Sequence, residues 1–112
     1  MSLRTERVAA LAQKIIADKI LSLEPPAITT VTEVSISDDL KNARVAISVL
    51  AQTPKDREKV MGLLNKNLKD IQSYLAGKLK TRNTPKVYFV HDVTEEYASH
   101  IEDLIKKSHE SD

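Results

Sequence analysis

The chain has no cysteine and no tryptophan. Without cysteine there can be no disulfide, no thiolate metal site and no cysteine nucleophile, and a secreted disulfide scaffold is excluded. Glycine is nearly missing: Gly62 and Gly77 are the only two in 112 residues. Neither common form of glycine-rich phosphate loop can be written with so few. Long apolar runs are also lacking. The longest, Val8 to Ala12, is far below the ~18 residues of a membrane span, and with Glu6 beside it the stretch is no secretory signal. The only aromatics are Tyr74, Tyr88, Phe89 and Tyr97, of which Tyr88 or Phe89 must serve the core. A surface that stacks successive single-stranded bases is therefore weakly supported.

What remains is a length and composition suited to one domain, expected over residues 1–107, with residues 108–112 a frayed tail. The formal charge of +1 conceals a segregation. Residues 64–90 carry six basic groups (Lys66, Lys69, Lys78, Lys80, Arg82, Lys86) against Asp70 alone, whereas residues 91–112 carry two against seven acidic ones. A polyanion could be held by one region of a nearly neutral protein. The plainer reading of the same numbers is a solvated helix face followed by an acidic tail.

Periodicity predicts the elements. Val8, Leu11, Ala12, Ile15, Ile16, Ile20 and Leu23 form one stripe of a helix over residues 4–23, ended by Pro25-Pro26. Residues 28–36 and 43–50 alternate with period two and are rich in β-branched residues, so they read as an antiparallel hairpin around Ser37 to Asn42. Thr53-Pro54 is a helix start. Val60, Leu63, Leu64, Leu68, Ile71, Leu75 and Leu79 extend helical spacing to about residue 80, as one long helix or two in succession, with Gly77 a candidate break. A strand is expected over residues 86–91. A last helix follows, with its stripe at Tyr97, Ile101, Leu104 and Ile105. The order α-β-β-α-β-α implies an α+β fold: a three-stranded sheet with helices on one face and water on the other.

Little of the chemistry-bearing inventory is arranged for catalysis. His100 and His109, nine residues apart on one helix, point to opposite sides and cannot share a metal. Asp38-Asp39 lies where a turn is expected and is explained by turn chemistry. No nucleophile motif supports a Ser/His/Asp triad, so no enzyme activity, cofactor or metal is expected. The basic stretch is different. Lys78, Lys80, Arg82 and Lys86 straddle a helix end and the following loop, with Thr81, Asn83 and Thr84 among them. Cations at a helix C-terminus are favoured by its dipole whatever the function. The same group could also contact phosphates, with hydroxyl and amide groups adding hydrogen bonds.

The segment Val31-Thr32-Glu33-Val34-Ser35-Ile36-Ser37-Asp38-Asp39-Leu40-Lys41-Asn42-Ala43-Arg44-Val45 resembles the strand-loop-strand of the ribosome-binding factor A family. Arg4-Thr5-Glu6-Arg7-Val8-Ala9 is similar to that family's first helix. Leu64-Asn65-Lys66, and Leu75 through Pro85, look like its second helical region and the approach to the last strand. The resemblance spans residues 4–105. It implies a KH-like fold of type II and a non-enzymatic factor of bacteria and organelles that binds the small (30S) ribosomal subunit and its 16S rRNA. Such a factor acts late in subunit maturation and rRNA processing and matters especially in the cold. Where the family has an Ala-x-Gly kink, this chain has Asn67-Leu68-Lys69, so its helix either runs straighter or is bent by Asn67.

With the resemblance in view, Arg4, Arg7, Lys14, Lys41, Arg44, Lys66, Lys69, Lys78, Lys80, Arg82 and Lys86 are the candidate RNA-binding residues, chosen from charge and location. The expected partners are the small subunit and its rRNA, with no membrane and no small-molecule substrate, for a cytoplasmic monomer. Two alternatives stay open. One is a generic KH-like RNA-binding module, disfavoured by the missing Gly-x-x-Gly loop. The other is a protein-interaction adaptor docking through its acidic last helix.

Overall fold

A computed structural model describes residues 3–50, 53–81 and 83–92. The elements run α1 (Leu3–Ser22), β1 (Ile28–Ile36), β2 (Asn42–Leu50), α2 (Pro54–Lys66), α3 (Leu68–Leu79) and β3 (Lys86–His91). The expected last helix at residues 93–107, the tail and its histidines lie outside the described residues, as does Arg82.

The sheet has strand order β1-β2-β3. β1 and β2 form the antiparallel hairpin that their alternation predicts, paired from Ile28 with Leu50 to Ile36 with Ala43. β3 runs parallel to β2, pairing Asn42 with Lys86 through Ile47 with His91. A parallel neighbour needs a crossover, and α2 with α3 supplies it. The register slips between Val31 and Glu33, where β1 bulges at Thr32. A bulge leaves backbone groups without strand partners. Here Gln13 of α1 donates its side-chain amide to the Val31 carbonyl at 3.0 Å, and the Thr32 hydroxyl donates to Asp92 Oδ2 at 2.7 Å.

The core lies between the helices and one sheet face. Ala12, Ile16, Val45, Ile47, Val49, Val60, Leu64, Ile71 and Leu75 are all fully enclosed. Thr53 caps α2, its Oγ1 accepting from the Asp56 amide, and Pro54 follows it at the first helical position. The helical stretch is interrupted at Asn67, not at Gly77. Asn67 has φ −99° and ψ 15°. Its amide and its side-chain Nδ2 both donate to the Leu63 carbonyl, and its own carbonyl accepts from Ile71 N. One side chain thus closes α2 while the backbone opens α3, and the bend is made without glycine. Gly77 sits inside α3 with ordinary backbone angles.

The second sheet face departs from simple alternation. Arg44 is exposed there, but Ala46 and Ser48 are buried. β2 is the central strand of the sheet, with Ala46 and Ser48 on its second face.

Candidate nucleic-acid interface

Three chain segments converge at the end of the sheet where β1 turns into β2. The turn is tightly held. The Ser37 hydroxyl donates to Asp39 Oδ1 at 2.6 Å and accepts from the Asn42 amide at 3.0 Å, while the Lys41 amide donates to the same Asp39 oxygen at 3.0 Å. Leu40 takes a left-handed conformation, with φ 61°. These bonds, the Ser37 one first, hold the Asp39 carboxyl below its ordinary range, and the nearby Lys41 charge acts in the same direction. The expected turn chemistry of Asp39 is therefore present.

The α3–β3 connection docks against this turn. The Lys86 amide donates to the Lys41 carbonyl at 2.8 Å. Lys80 ends α3 in the left-handed region, with φ 53°, and redirects the chain, and Thr81 Oγ1 donates to the Asn83 carbonyl at 3.0 Å. The first turn of α1 closes the third side. Together they form a cleft of about 460 Å³ lined by Arg4, Asp39, Leu40, Lys41, Thr81, Asn83 and Thr84.

Thr84 is shared with a second cleft of about 500 Å³ between α3 and β3, to which Lys69, Gln72, Ser73 and Lys86 also contribute. Gln72 fixes its wall. Its Nε2 donates to the Pro85 carbonyl at 2.7 Å and its Oε1 accepts from the Val87 amide at 2.9 Å, so one side chain pairs the outer edge of β3 as a strand would.

The candidate cations distribute as follows. Arg4 and Lys41 line the first cleft, and Lys69 and Lys86 line the second. Arg7 is one turn beyond Arg4 on α1, and Lys80 directly precedes Thr81; both are exposed. Lys78 lies elsewhere in α3, its ammonium 5.7 Å from the Tyr74 ring centre, with Lys19 of α1 at 5.5 Å from the same ring. Lys14 projects from the exposed side of α1, and Lys66 ends α2. Arg44 is on the sheet face away from the core, between buried Ala43 and Val45. Among the described residues, none of the cations lining the two clefts forms an ion pair. Sequence reasoning missed Lys19, Gln72 and the place of Asp39 in a cleft. Nothing in local periodicity could have joined Lys19 to Tyr74 across 55 residues.

The arrangement can bind anions. Guanidinium and ammonium groups from separate elements can neutralise neighbouring phosphates, and hydroxyl and amide groups can add directed bonds. Among the described residues no group of three or more histidine, aspartate or glutamate side chains could hold a metal, and no helix is long and apolar enough to cross a membrane.

An α-β-β-α-α-β domain whose third strand runs parallel to the second, beside an antiparallel hairpin, is a KH-like domain. Residues 4–105 match the family model described as ribosome-binding factor A. The ribosome-binding factor A of Pelodictyon phaeoclathratiforme is 39% identical over 110 residues, covering 94% of this chain and 91% of the relative. That of Leuconostoc mesenteroides is 34% identical over 109 residues, covering 95% and 93%. The chain belongs to the ribosome-binding factor A family.

Solved structures agree on the fold. The crystal structure of the Thermus thermophilus ribosome-binding factor A superposes with a TM-score of 0.68 at 21% identity, covering 78% of this chain and 94% of that one. A homology model of the Thermus thermophilus ribosome-binding factor A, as fitted into the cryo-electron microscopy map of a 30S complex with it, superposes at 0.64 with 21% identity, covering 75% and 90%.

Proposed function

We propose that this protein is a non-enzymatic assembly factor that binds the small (30S) ribosomal subunit and its 16S rRNA in the cytoplasm and assists late maturation and rRNA processing. The observation that carries the reading is the convergence, in a chain of net charge +1, of cations from α1, the β1–β2 turn, α3 and β3 on two adjoining clefts. Family membership supplies the partner: relatives bear the name ribosome-binding factor A, and one was fitted into a map of a 30S complex.

Binding of this kind is driven by counterion release. Each phosphate neutralised contributes a slope of about 0.7–0.9 log units of affinity per log unit of salt. The role asks for no bond to be made or broken, and it fits a monomer that acts by holding rRNA in a transient arrangement.

The test is sedimentation with purified immature and mature small subunits at two salt concentrations. The chain is expected to travel with immature subunits and to be released as salt rises. The combined substitution Arg4→Glu, Lys41→Glu and Lys86→Glu is expected to abolish co-sedimentation while leaving the fold intact by circular dichroism. Binding retained at near-normal strength would remove the clefts from the interface.

A further inference from the structure

The cleft between the first turn of α1, the β1–β2 turn and the α3–β3 connection contains a group that a plain phosphate site has no use for. Asp39 stands in it beside Arg4 and Lys41. A carboxylate repels a phosphodiester, so its presence weakens phosphate binding unless the ligand offers it a hydrogen. Oδ1 of Asp39 is committed to Ser37 and Lys41, whereas Oδ2 takes no bond from another of the described residues and is exposed to the cleft. The carboxyl is held ionised by those same two bonds, and an ionised carboxylate only accepts.

The donor that Oδ2 would face is constrained by the rest of the lining. None of Tyr74, Tyr88 and Phe89 lines the cleft, so among the described residues no aromatic platform is there to seat a base. The polar groups that do line it, Arg4, Lys41, Thr81, Asn83 and Thr84, suit a sugar-phosphate backbone. A volume of about 460 Å³ is enough to seat one nucleotide. On a sugar-phosphate backbone the only hydrogen-bond donor inside a chain is the ribose 2′-hydroxyl, the group by which a protein tells RNA from DNA.

We infer that this cleft seats one nucleotide of a single-stranded RNA segment, with Arg4 and Lys41 on its phosphates and Asp39 Oδ2 accepting from its 2′-hydroxyl. The inference rests on the rRNA-binding reading above and adds to it a seat for one unit of the strand and the residue that selects ribose.

The test uses the full chain and two pentanucleotides that differ only in the 2′-hydroxyl, pentauridylate and pentadeoxyuridylate, followed by fluorescence anisotropy and by amide resonances. Uridine 5′-monophosphate serves as a third probe. The ribose pentamer is expected to bind about tenfold more tightly than the deoxyribose one, as for one hydrogen bond to a charged group. It should move the Lys41, Asn83 and Thr84 amides.

Asp39→Asn keeps an acceptor for Ser37 and Lys41 but removes the charge and turns the second position into a donor. It is expected to bind the deoxyribose pentamer more tightly than the unsubstituted chain does and to bring the two affinities together. A turn merely broken by the substitution would weaken both. Equal affinities in the unsubstituted chain, an unchanged ratio in Asp39→Asn, or resonance changes confined to other residues would each overturn the inference. A monophosphate that binds as tightly as the pentamer would overturn its assignment to a strand. Co-sedimentation with small subunits is measured in parallel. If it holds while the pentamers bind equally, the inference alone fails. If the unsubstituted chain does not sediment with subunits, the reading beneath it fails.

Discussion

The two ends of the sheet are built from the same strands and could hardly differ more. At the end where β1 turns into β2, the backbone is held by side chains and the lining is polar and cationic: Ser37, Asp39 and Gln72 bond main-chain or turn groups, and Arg4, Lys41 and Lys86 face clefts. At the far end β1 begins with Ile28 and β2 finishes with Leu50. These two are cross-strand partners, 68% and 59% exposed, and Leu21 near the end of α1 is 76% exposed. Between the ends lies a core of aliphatic side chains that does not distinguish them. The lesson is that core side chains such as Ile36 and Val49 reach both ends alike, so what separates the ends is the polar lining around them. The cleft end draws its order from directed hydrogen bonds, whereas among the described residues the far end is marked by exposed apolar side chains.

Three variants would break or sharpen this contrast, the largest effect first. The charge reversal at Arg4, Lys41 and Lys86 should remove subunit binding without loss of stability, because all three side chains are exposed and free of ion pairs among the described residues. Reduced folding in that variant, measured by urea titration, would mean that the cleft end is held together by those residues as well. Next, Gln72→Ala should lower stability by about 1–3 kcal/mol, since it strips the partners from the Val87 amide and the Pro85 carbonyl at once. Hydrogen exchange should quicken at Val87 ahead of the rest of β3. Unchanged exchange there would show the outer edge of β3 to be held by something else. Smallest of the three, Ile28→Ser with Leu50→Ser should lower stability by less than about 1 kcal/mol, the worth of an exposed cross-strand pair, and leave subunit binding alone. A clear loss of co-sedimentation would put the far end in the interface and dissolve the contrast.

How far the sequence made this legible depends on the range of the forces involved. α1, the hairpin and the start of α2 are local matters. Pro25-Pro26 and Thr53-Pro54 punctuate them, and period-two and period-3.6 patterns fill them, so observed ends fall within a residue of expectation. The break at Asn67 was harder. Gly77 is the residue whose chemistry loosens a helix, yet it is an asparagine side chain reaching back to Leu63 that closes α2. The family's Ala-x-Gly pattern made Asn67 one of two open alternatives, and the structure takes it.

The clefts were legible only as a list of cations. What gathers Arg4, Lys41 and Lys86 is the parallel pairing of β2 with β3 and the Lys86-to-Lys41 bond, and no pattern of charge along the chain encodes either. Arg44, Lys14 and Lys66 line neither cleft, and nothing in the pattern of charge along the chain separates them from the cations that do. Asp39 was read as a turn residue, which it is. That the same carboxylate also lines a cleft depends on α1 and the α3–β3 connection coming to meet it.

That dual role gives the gentlest test of the contrast, a pH titration. The Asp39 carboxyl is lowered first by the Ser37 hydroxyl and then by the Lys41 amide. An acid whose folded value is lowered stabilises the folded state above its unfolded value, which for aspartate is about 3.9. That contribution fades as pH falls through the lowered folded value, because below it the group is protonated whether the chain is folded or not. The turn should therefore stay ordered at neutral pH and loosen only in acid below the ordinary carboxylate range. The Asp39 carboxyl carbon resonance should titrate there too. Ser37→Ala, which removes the largest cause, should move that titration upward and bring the loosening of Leu40 and Lys41 to higher pH. A carboxyl that titrates at its ordinary value in the unsubstituted chain would show that the turn does not hold Asp39 as the geometry requires, and the ordering of the cleft end by directed bonds would lose its best-defined case.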